Sequence, residues 1–229
     1  MIFRQLFDPE TSTYTYLIAD PETKEAIFVD PVLEQVERDL KILEELGLTL
    51  RYSMETHIHA DHVTGTGKLR EKTGCSGVAP KESGVVCADI NCSHGDRFTV
   101  GAITVEAIAT PGHTHCDITY LVNGTHLLTG DSLFIRGCGR TDFQSGSAAA
   151  LYESITEKLF TLPDHVWVYP GHDYRGHTVS TIGEEKQYNP RLAGQDKAAF
   201  VELMGSLNLP NPKKIMEAVP ANQHCGQDA

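Results

Sequence analysis

The sequence predicts a layered α/β or α+β domain. Three observations lead to this prediction. Short strand-like runs are mixed with segments at helical spacing, hairpin turn signals recur, and 229 residues suit one domain with a sizeable core. The composition, 40% hydrophobic and 22% charged, is ordinary for a soluble globular protein. We therefore expect a single domain over residues 1–229 with a short C-terminal tail.

The first third of the chain predicts strands and then a helix. The runs TYTYLI and AIFV are rich in β-branched and aromatic or apolar residues, and AIFV stops at Asp30-Pro31. Apolar residues over 33–46 recur roughly at helical spacing, and Gly47 is a helix-stop residue. The predicted strands here are residues 13–18, 26–29 and 48–55.

The rest of the chain mixes helices with hairpins. A hairpin over 98–108 turns at Gly101-Ala102, and strands 118–122 and 126–128 turn at Asn123-Gly124, a strong hairpin signal. Residues 166–169 predict a short buried strand. Helices are predicted over 65–72, 147–162 and 197–207. A Pro-rich stretch, 209–212, and an end without periodicity follow.

Charge and cysteine content exclude several classes of protein. The net charge of −12 repels the phosphate backbone, so nucleic-acid binding is not expected. No apolar run approaches the roughly 20 residues needed to cross a bilayer. The six cysteines form no C-x-x-C pair, and the N-terminus MIFRQLFDPE has no signal-peptide pattern. We expect reduced thiols and a cytoplasmic location.

Ligand-type side chains follow the ends of several predicted strands. Loops at strand ends are where a rigid scaffold presents functional groups, and imidazole and carboxylate are ligands of zinc, iron and manganese. In an extended segment, residues two apart point the same way, so the first two histidines of THIHADH can face one site. The segments THIHADH, TPGHTH, LLTGDS and VYPGHD supply His57, His59, Asp61, His62, His113, Asp131 and His172.

An isolated histidine is more often a surface or core residue than a ligand. We read His94, His126, His165 and His224 in that way, and His115 as either an orienting hydrogen-bond donor or an exposed side chain. The hexapeptide of residues 57–62 differs, because three imidazoles and a carboxylate make a poor core without a metal. By themselves, these seven ligand-type residues favour two metals and hydrolysis.

The order THIHADH, TPGH, GD and PGH resembles the metallo-β-lactamase superfamily over nearly the whole chain. The resemblance implies an α/β fold, an αββα sandwich of two mixed sheets flanked by helices. Within the superfamily, three segments resemble the persulfide dioxygenases. They are IRGCGRTDFQSGS (135–147), YPGHDYRGHTVSTIGEEKQYNPRL (169–192) and LNLPNPKKIMEAVPAN (207–222). The glyoxalase II thioesterases are near relatives, but we do not expect this chain to hold their separate helical region.

The resemblance implies an enzyme that oxidises glutathione persulfide with O2, using one Fe(II) per chain. The family's ligands map onto His57, His113 and Asp131, a facial triad that leaves positions for water, sulfur and O2. His59, Asp61, His62 and His172 would either orient those ligands by hydrogen bonds or form a second metal position. The alternative is a glyoxalase II-like dinuclear hydrolase of glutathione thioesters. A homodimer is expected.

The same resemblance suggests contacts to glutathione. In the thioesterase relatives, a basic residue after G-C-G and a tyrosine after the last metal histidine contact the substrate, and these positions are Arg140 and Tyr174. Arg140 could instead form a surface salt bridge with Asp142, and Arg175 is a weaker candidate. Cys138 lacks a His-Asn arrangement and is interpreted as a buried structural thiol.

Overall fold

Two six-stranded sheets form the framework that holds the ligand-type residues. The structure is a computed structural model that describes residues 1–210 and 214–226. In the first sheet, the strands follow chain order from β1 to β6. Strands β1, β2 and β3 pair antiparallel, whereas the pairs from β3 to β6 are parallel, so the sheet is mixed. Its strands are β1 (Ile2–Asp8), β2 (Thr13–Ala19), β3 (Glu25–Val29), β4 (Thr49–Met54), β5 (Ser76–Pro80) and β6 (Ile90–Cys92).

The second sheet has the strand order β12-β11-β10-β9-β8-β7 and is also mixed. Strand β10 pairs parallel with β11 and antiparallel with β9, while β11 pairs antiparallel with β12. Its strands are β7 (Arg97–Val100), β8 (Ile103–Ala109), β9 (Ile118–Val122), β10 (His126–Gly130), β11 (Trp167–Pro170) and β12 (Ser180–Thr181).

Six α-helices accompany the sheets in the described part of the chain. They are α1 (Val36–Leu46), α2 (Thr66–Thr73), α3 (Ala148–Glu153), α4 (Ile182–Tyr188), α5 (Lys197–Gly205) and α6 (Ile215–Gln223). The predicted helix over 147–162 is less regular than expected, because α3 continues into a π-helical turn, Ser154–Lys158, and a 3-10 turn, Leu159–Thr161.

The first helix illustrates how the sequence determines local structure. It ends where predicted, because Gly47 adopts a left-handed conformation with φ 63°. The Gly47 amide donates to Glu44 O and the Leu48 amide to Leu43 O, which satisfies the last carbonyls of the helix. The apolar face of α1 packs on the first sheet in a core that includes Leu17, Phe28 and Leu69.

A second core lies between the second sheet and its helices. Leu127 and Val168 of the sheet pack with Leu151 of α3 and Phe200 of α5. Ser147 begins α3 by accepting a hydrogen bond from the Ala150 amide, as expected for a serine N-cap. This packing holds the ends of β10 and β11 on a rigid support.

By its internal contacts, the chain divides into two compact units. The first contains residues 1–92 and 97–105 together with the described C-terminal residues 214–226. The second contains residues 93–96 and 106–210. A single domain over the whole chain remains a prediction.

The C-terminal region differs most from the sequence-based expectation. The end without periodicity contains the helix α6, which buries Ala218 and Asn222 and has Pro220 inside it. The apolar periodicity of the sequence does not reveal α6, because one of its two buried positions is the polar residue Asn222. Residues 211 and 212 of the predicted Pro-rich stretch lie outside the described residues.

The expectation of reduced thiols is wrong for two cysteines. A disulfide joins Cys87 and Cys225, which are 138 residues apart in the chain. The turn after α6 brings Cys225 to the loop that holds Cys87, a long-range contact that spacing alone does not reveal. The other four cysteines are buried thiols. Within residues 1–210 and 214–226, no helix has both the length and the apolar character needed to cross a membrane.

Candidate metal centre

The THIHADH segment forms a buried loop directly after β4, an interior strand of the first sheet. His57, His59 and His62 are each at most 2% exposed. The ring centroids of His57 and His59 are 4.2 Å apart, and those of His59 and His62 are 4.3 Å apart. The three imidazoles therefore cluster, an arrangement that the alternation of an extended segment predicted only for His57 and His59. We call residues 56–64 the metal loop.

Hydrogen bonds determine which nitrogen of His57 is protonated. The Thr56 hydroxyl donates to Asp30 Oδ2 at 2.8 Å, so its oxygen accepts from His57 Nδ1 at 2.9 Å. A proton on Nδ1 leaves the lone pair on Nε2, which is the form of imidazole that binds a metal. Asp30 also accepts from the Thr56 amide at 2.7 Å.

At His59 the hydrogen-bonding nitrogen is Nε2 and not Nδ1. Its Nε2 lies 3.1 Å from Asp30 Oδ1 and 3.3 Å from Glu55 Oε2, so Nε2 carries the proton. Burial lowers the pKa of His59, but the charge of Asp30 and the hydrogen bonds to Asp30 and Glu55 outweigh burial and raise it well above its ordinary value. His59 Nδ1 is buried and has no hydrogen bond within the described part of the chain.

Asp61 and His62 are the remaining ligand-type residues of this loop. His62 Nδ1 lies 2.9 Å from Asp61 Oδ2, while His62 Nε2 is buried without a hydrogen bond among the described residues. Ligand atoms of His59, Asp61 and His62 all lie within 4.8 Å of one another. Buried polar atoms without partners are costly. A bound cation would satisfy them, so this donor set fits a metal.

In the second unit, three more ligand-type residues each follow a strand end, as predicted. His113 follows β8, Asp131 follows β10 and His172 follows β11. His113 Nε2 lies 3.5 Å from Asp131 Oδ2, and His172 Nε2 lies 3.5 Å from Asp131 Oδ1. Asp131 Oδ1 is buried and accepts no hydrogen bond within residues 1–210 and 214–226. Two ligands at about 2.1 Å from one metal are separated by roughly this distance.

The turn around His113 orients its ring. His113 Nδ1 donates to the Arg140 carbonyl at 2.7 Å, which leaves the lone pair on Nε2 facing Asp131. Asp117 shapes the turn by accepting from the Thr114 amide at 2.8 Å and the Thr114 hydroxyl at 2.6 Å. Burial raises the pKa of Asp117 to about 6.

Glycine is required at two places where backbone approaches Asp131. A Cβ at Gly139, the second glycine of GCG, would collide with the Asp131 carbonyl and lie 2.9 Å from His113 Nδ1. A Cβ at Gly171 would lie 2.6 Å from Asp131 Oδ1. The GCG and PGH motifs therefore leave room for Asp131 and His113.

Sequence reasoning missed two orienting carboxylates, Asp30 and Asp117. Asp30 was visible only as the residue that stops a strand before proline, and its φ of +52° is uncommon for a residue other than glycine. Asp117 lies four residues after His113, but nothing in the spacing marked it. Both accept hydrogen bonds from a threonine, and Asp30 also contacts His59 directly, and sequence periodicity reports none of these contacts.

The histidines interpreted as non-ligands lie outside these clusters. His94, His165 and His224 are exposed, and His126 stacks on Tyr169 with an interplanar angle of 3°. His115 is exposed and lies 3.3 Å from the Gln144 carbonyl. The exposed alternative is therefore the correct one for His115.

The residues expected to contact glutathione have contrasting surroundings. Arg140 donates to both carboxylate oxygens of Asp142 at 2.7 and 2.8 Å and to the Pro210 carbonyl at 2.6 Å. Its guanidinium also lies 4.4 Å from the Phe143 ring centroid. The salt bridge to Asp142 that the sequence left open is therefore present. Tyr174 is 72% exposed and stacks on His172.

Cys138 has the surroundings of a structural thiol. It is 2% exposed, and its sulfur lies 3.8 Å from the sulfur of Met204. Burial raises the pKa of the Cys138 thiol, which works against formation of a nucleophilic thiolate.

Comparisons with known proteins agree with the motifs. The model of the metallo-beta-lactamase superfamily matches residues 8–89 and 93–172. The human protein named persulfide dioxygenase ETHE1, mitochondrial, is 49% identical over 99% of this chain and 89% of its own length. The crystal structure of ETHE1 from Myxococcus xanthus superposes with a TM-score of 0.97 at 55% identity, covering 99% of this chain and 100% of that one.

A hydrolase is also among the relatives. Hydroxyacylglutathione hydrolase from Brucella anthropi is 38% identical over 72% of this chain and 62% of its own length. The predicted fold class, two mixed sheets flanked by helices, is confirmed by these matches. This chain belongs to the metallo-beta-lactamase superfamily and, within it, to the family of the persulfide dioxygenases named ETHE1.

Proposed function

We propose that this chain is an iron-dependent persulfide dioxygenase that converts glutathione persulfide, O2 and water to glutathione, sulfite and two protons. The observation that carries the proposal is the 49% identity to persulfide dioxygenase ETHE1 over almost the full length. Both atoms of O2 go to the outer sulfur, water supplies the third oxygen, and the bond between the two sulfurs breaks. Iron, when bound, supplies redox chemistry and open coordination positions.

His57, His113 and Asp131 are the proposed ligands, here called the iron triad. A separate observation on the hydrogen bonds of each residue supports its assignment. His57 and His113 each donate Nδ1–H within the protein, so each keeps Nε2 for a metal. The Asp131 carboxylate has a buried oxygen without a hydrogen bond in the described segments. With three protein ligands, a bound iron would keep coordination positions available for the substrate sulfur, O2 and water.

The remaining ligand-type residues have an orienting role in this proposal. Asp30 holds His57 through Thr56 and also holds His59, so one carboxylate sets two imidazoles. His172 borders Asp131 and stacks on Tyr174, linking a ligand to an exposed aromatic surface. Partners of this kind fix ligand direction and tautomer, and removing one costs roughly 10–100-fold in affinity or activity.

Glutathione binding is proposed at Arg140 and Tyr174. Arg140 uses three N–H groups on Asp142 and Pro210, and a guanidinium has five, so two remain for a substrate carboxylate. The ring of Tyr174 is 72% exposed and offers an aromatic face for packing against the peptide. Asp142 would then act as the partner that fixes the arginine fork.

A dinuclear hydrolase of glutathione thioesters is the second candidate. The likeness to hydroxyacylglutathione hydrolase favours it, as do the buried His59 Nδ1 and His62 Nε2, which have no hydrogen bond within residues 1–210 and 214–226. Such an enzyme would hold a second metal and use a metal-bound hydroxide.

Metal content separates the two candidates. Protein purified without oxygen should contain one iron per chain if it is the dioxygenase, and two metals per chain would favour the hydrolase. His165→Ala, at an exposed histidine outside the site, serves as the control and should keep the wild-type metal content. A cytoplasmic location and a homodimer are further proposals, which cell fractionation and sedimentation can test. The human relative is named mitochondrial.

A further inference from the structure

The side chain of Asn222 forms three hydrogen bonds with the backbone of the metal loop. Its Nδ2 donates to the carbonyls of His59 and His62, each at 2.9 Å, and its Oδ1 accepts from the Thr64 amide at 2.8 Å. Asn222 is 4% exposed and lies about 160 residues further along the chain. Both N–H groups of the amide are used, so the side chain is held in one orientation.

A disulfide and backbone hydrogen bonds attach the C-terminal segment that carries Asn222 to the region around the metal loop. The disulfide links Cys225, two residues after α6, to Cys87. The Gly67 amide donates to the Cys225 carbonyl at 2.9 Å, and the Val86 amide donates to the Gln223 carbonyl at 3.2 Å. The turn fits so closely that a Cβ at Gly226 would collide with the Thr64 carbonyl.

We propose that Asn222 is a positioning residue for the metal loop and that the Cys87–Cys225 disulfide holds it there, so that thiol reduction weakens metal binding. The proposal rests on the metal-binding part of the proposed function, not on the reaction. Reduction takes two electrons and two protons from two molecules of a small thiol. It leaves two protein thiols and one small-molecule disulfide. The sulfur of Cys225 is buried, whereas Cys87 is partly exposed and accepts the attack.

The hydrogen bonds of Asn222 affect metal binding through the backbone of the metal loop. The two carbonyls that Asn222 holds belong to His59 and His62, and the amide it holds belongs to Thr64, so the hydrogen bonds bracket the second half of the loop. Losing them frees the backbone that aims two imidazoles. A buried carbonyl without its donor also favours a rearranged loop.

Fe(II) affinity of the metal-free protein, measured by anaerobic equilibrium dialysis, tests the role of Asn222. Asn222→Ala should weaken binding by up to roughly 10-fold, the low end of the range for partners that orient ligands, because the backbone it holds carries the orienting residues His59 and His62 and not the iron triad. Asn222→Asp should weaken it at least as much, because it keeps the acceptor for Thr64 but replaces the donor with an oxygen that faces two carbonyls. Leu43→Ala, a core truncation on α1, is the control that destabilises the unit without touching the loop.

Two results would overturn the positioning role. One is wild-type affinity in Asn222→Ala. The other is an equal loss of affinity in Leu43→Ala, which would mean that general destabilisation explains the effect. Hydrogen exchange of the Thr64 amide, expected to accelerate in Asn222→Ala and not in Leu43→Ala, is a readout independent of iron. Because neither readout uses turnover, a failure of the proposed reaction is distinguishable from a failure of this inference.

Dithiothreitol tests the disulfide, with Cys225→Ser as the matched variant. Unreduced, denatured protein should react with iodoacetamide at the four cysteines outside the disulfide, and reduced protein at all six. After reduction and removal of the reagent, wild-type protein should bind Fe(II) more weakly. Cys225→Ser should be weak from the start and unresponsive to the reagent. Six reactive cysteines without reduction, or unchanged affinity after it, would contradict the proposal.

Discussion

Replacing Asp30 by asparagine should weaken metal binding by reversing a tautomer. The carboxylate accepts from the Thr56 amide and His59 through Oδ1 and from the Thr56 hydroxyl through Oδ2. In Asp30→Asn, the amide oxygen keeps the first two contacts, so the new NH2 group must face the Thr56 hydroxyl. That hydroxyl then donates to its remaining acceptor, His57 Nδ1. The proton of the His57 ring therefore moves to Nε2, the nitrogen that would bind the metal.

The magnitude follows from the hydrogen bond that is lost. A hydrogen bond to a charged group contributes about 1.5–3 kcal/mol. Since about 1.4 kcal/mol is a factor of ten, Fe(II) affinity should fall by roughly 10–100-fold. The backbone should tolerate the change, because Asp30 has φ +52° and asparagine is among the residues enriched at positive φ.

The assay is an anaerobic Fe(II) titration of metal-free protein, combined with nitrogen NMR of the His57 ring. Asp39→Asn is a matched control, because Asp39 is equally buried in the same unit but lies on α1. The reasoning would be refuted if Asp30→Asn bound Fe(II) as tightly as the wild type while His57 kept its proton on Nδ1.

Three further predictions concern the ligands, the substrate contact and the pH dependence of stability. Alanine at any member of the iron triad should remove iron and activity together; iron retained at one per chain would disprove the assignment. Arg140→Ala should raise KM for glutathione persulfide, costing about 1.5–3 kcal/mol in kcat/KM, whereas Asp142→Ala, which loosens the guanidinium without removing it, should raise KM less. Equal defects in both variants would make Arg140 structural. Burial raises the pKa of Asp39 from 3.8 to about 6, so its protonated form stabilises the fold and that stability is lost as pH rises through 6. Between pH 5 and 7.5, wild-type protein should lose about 1.4 kcal/mol relative to Asp39→Asn in urea unfolding, and parallel curves would contradict this.

Local signals predicted much of the fold and the positions of the ligand-type residues at strand ends. Gly47 ended α1 as expected, and the Asn123-Gly124 turn joined β9 to β10, because both depend on neighbouring residues alone. The ligand-type residues were recognisable because each follows a strand end. Strand β1 and helix α6 were missed, since partly exposed or polar positions hide their periodicity.

What the sequence could not predict depends on contacts between distant residues. Asp30 orients histidines about 27 residues later, and Asn222 holds carbonyls about 160 residues earlier. The disulfide joins residues 138 apart. No periodicity encodes such contacts, because they arise only when the sheet and α6 have packed. The salt bridge from Arg140 to Asp142 is local, and for that reason the sequence could raise it as an alternative.

Oxygen consumption is the most direct test of the central claim. Fe(II)-loaded protein given glutathione persulfide in an oxygen electrode should consume one O2 for each sulfite formed, and it should stop when oxygen is removed. S-lactoylglutathione serves as the control substrate, because a metal-bound hydroxide would hydrolyse it without oxygen. The account predicts oxygen uptake with sulfite and negligible thioester cleavage. Rapid cleavage of the thioester without oxygen, together with no oxygen uptake on the persulfide, would contradict it.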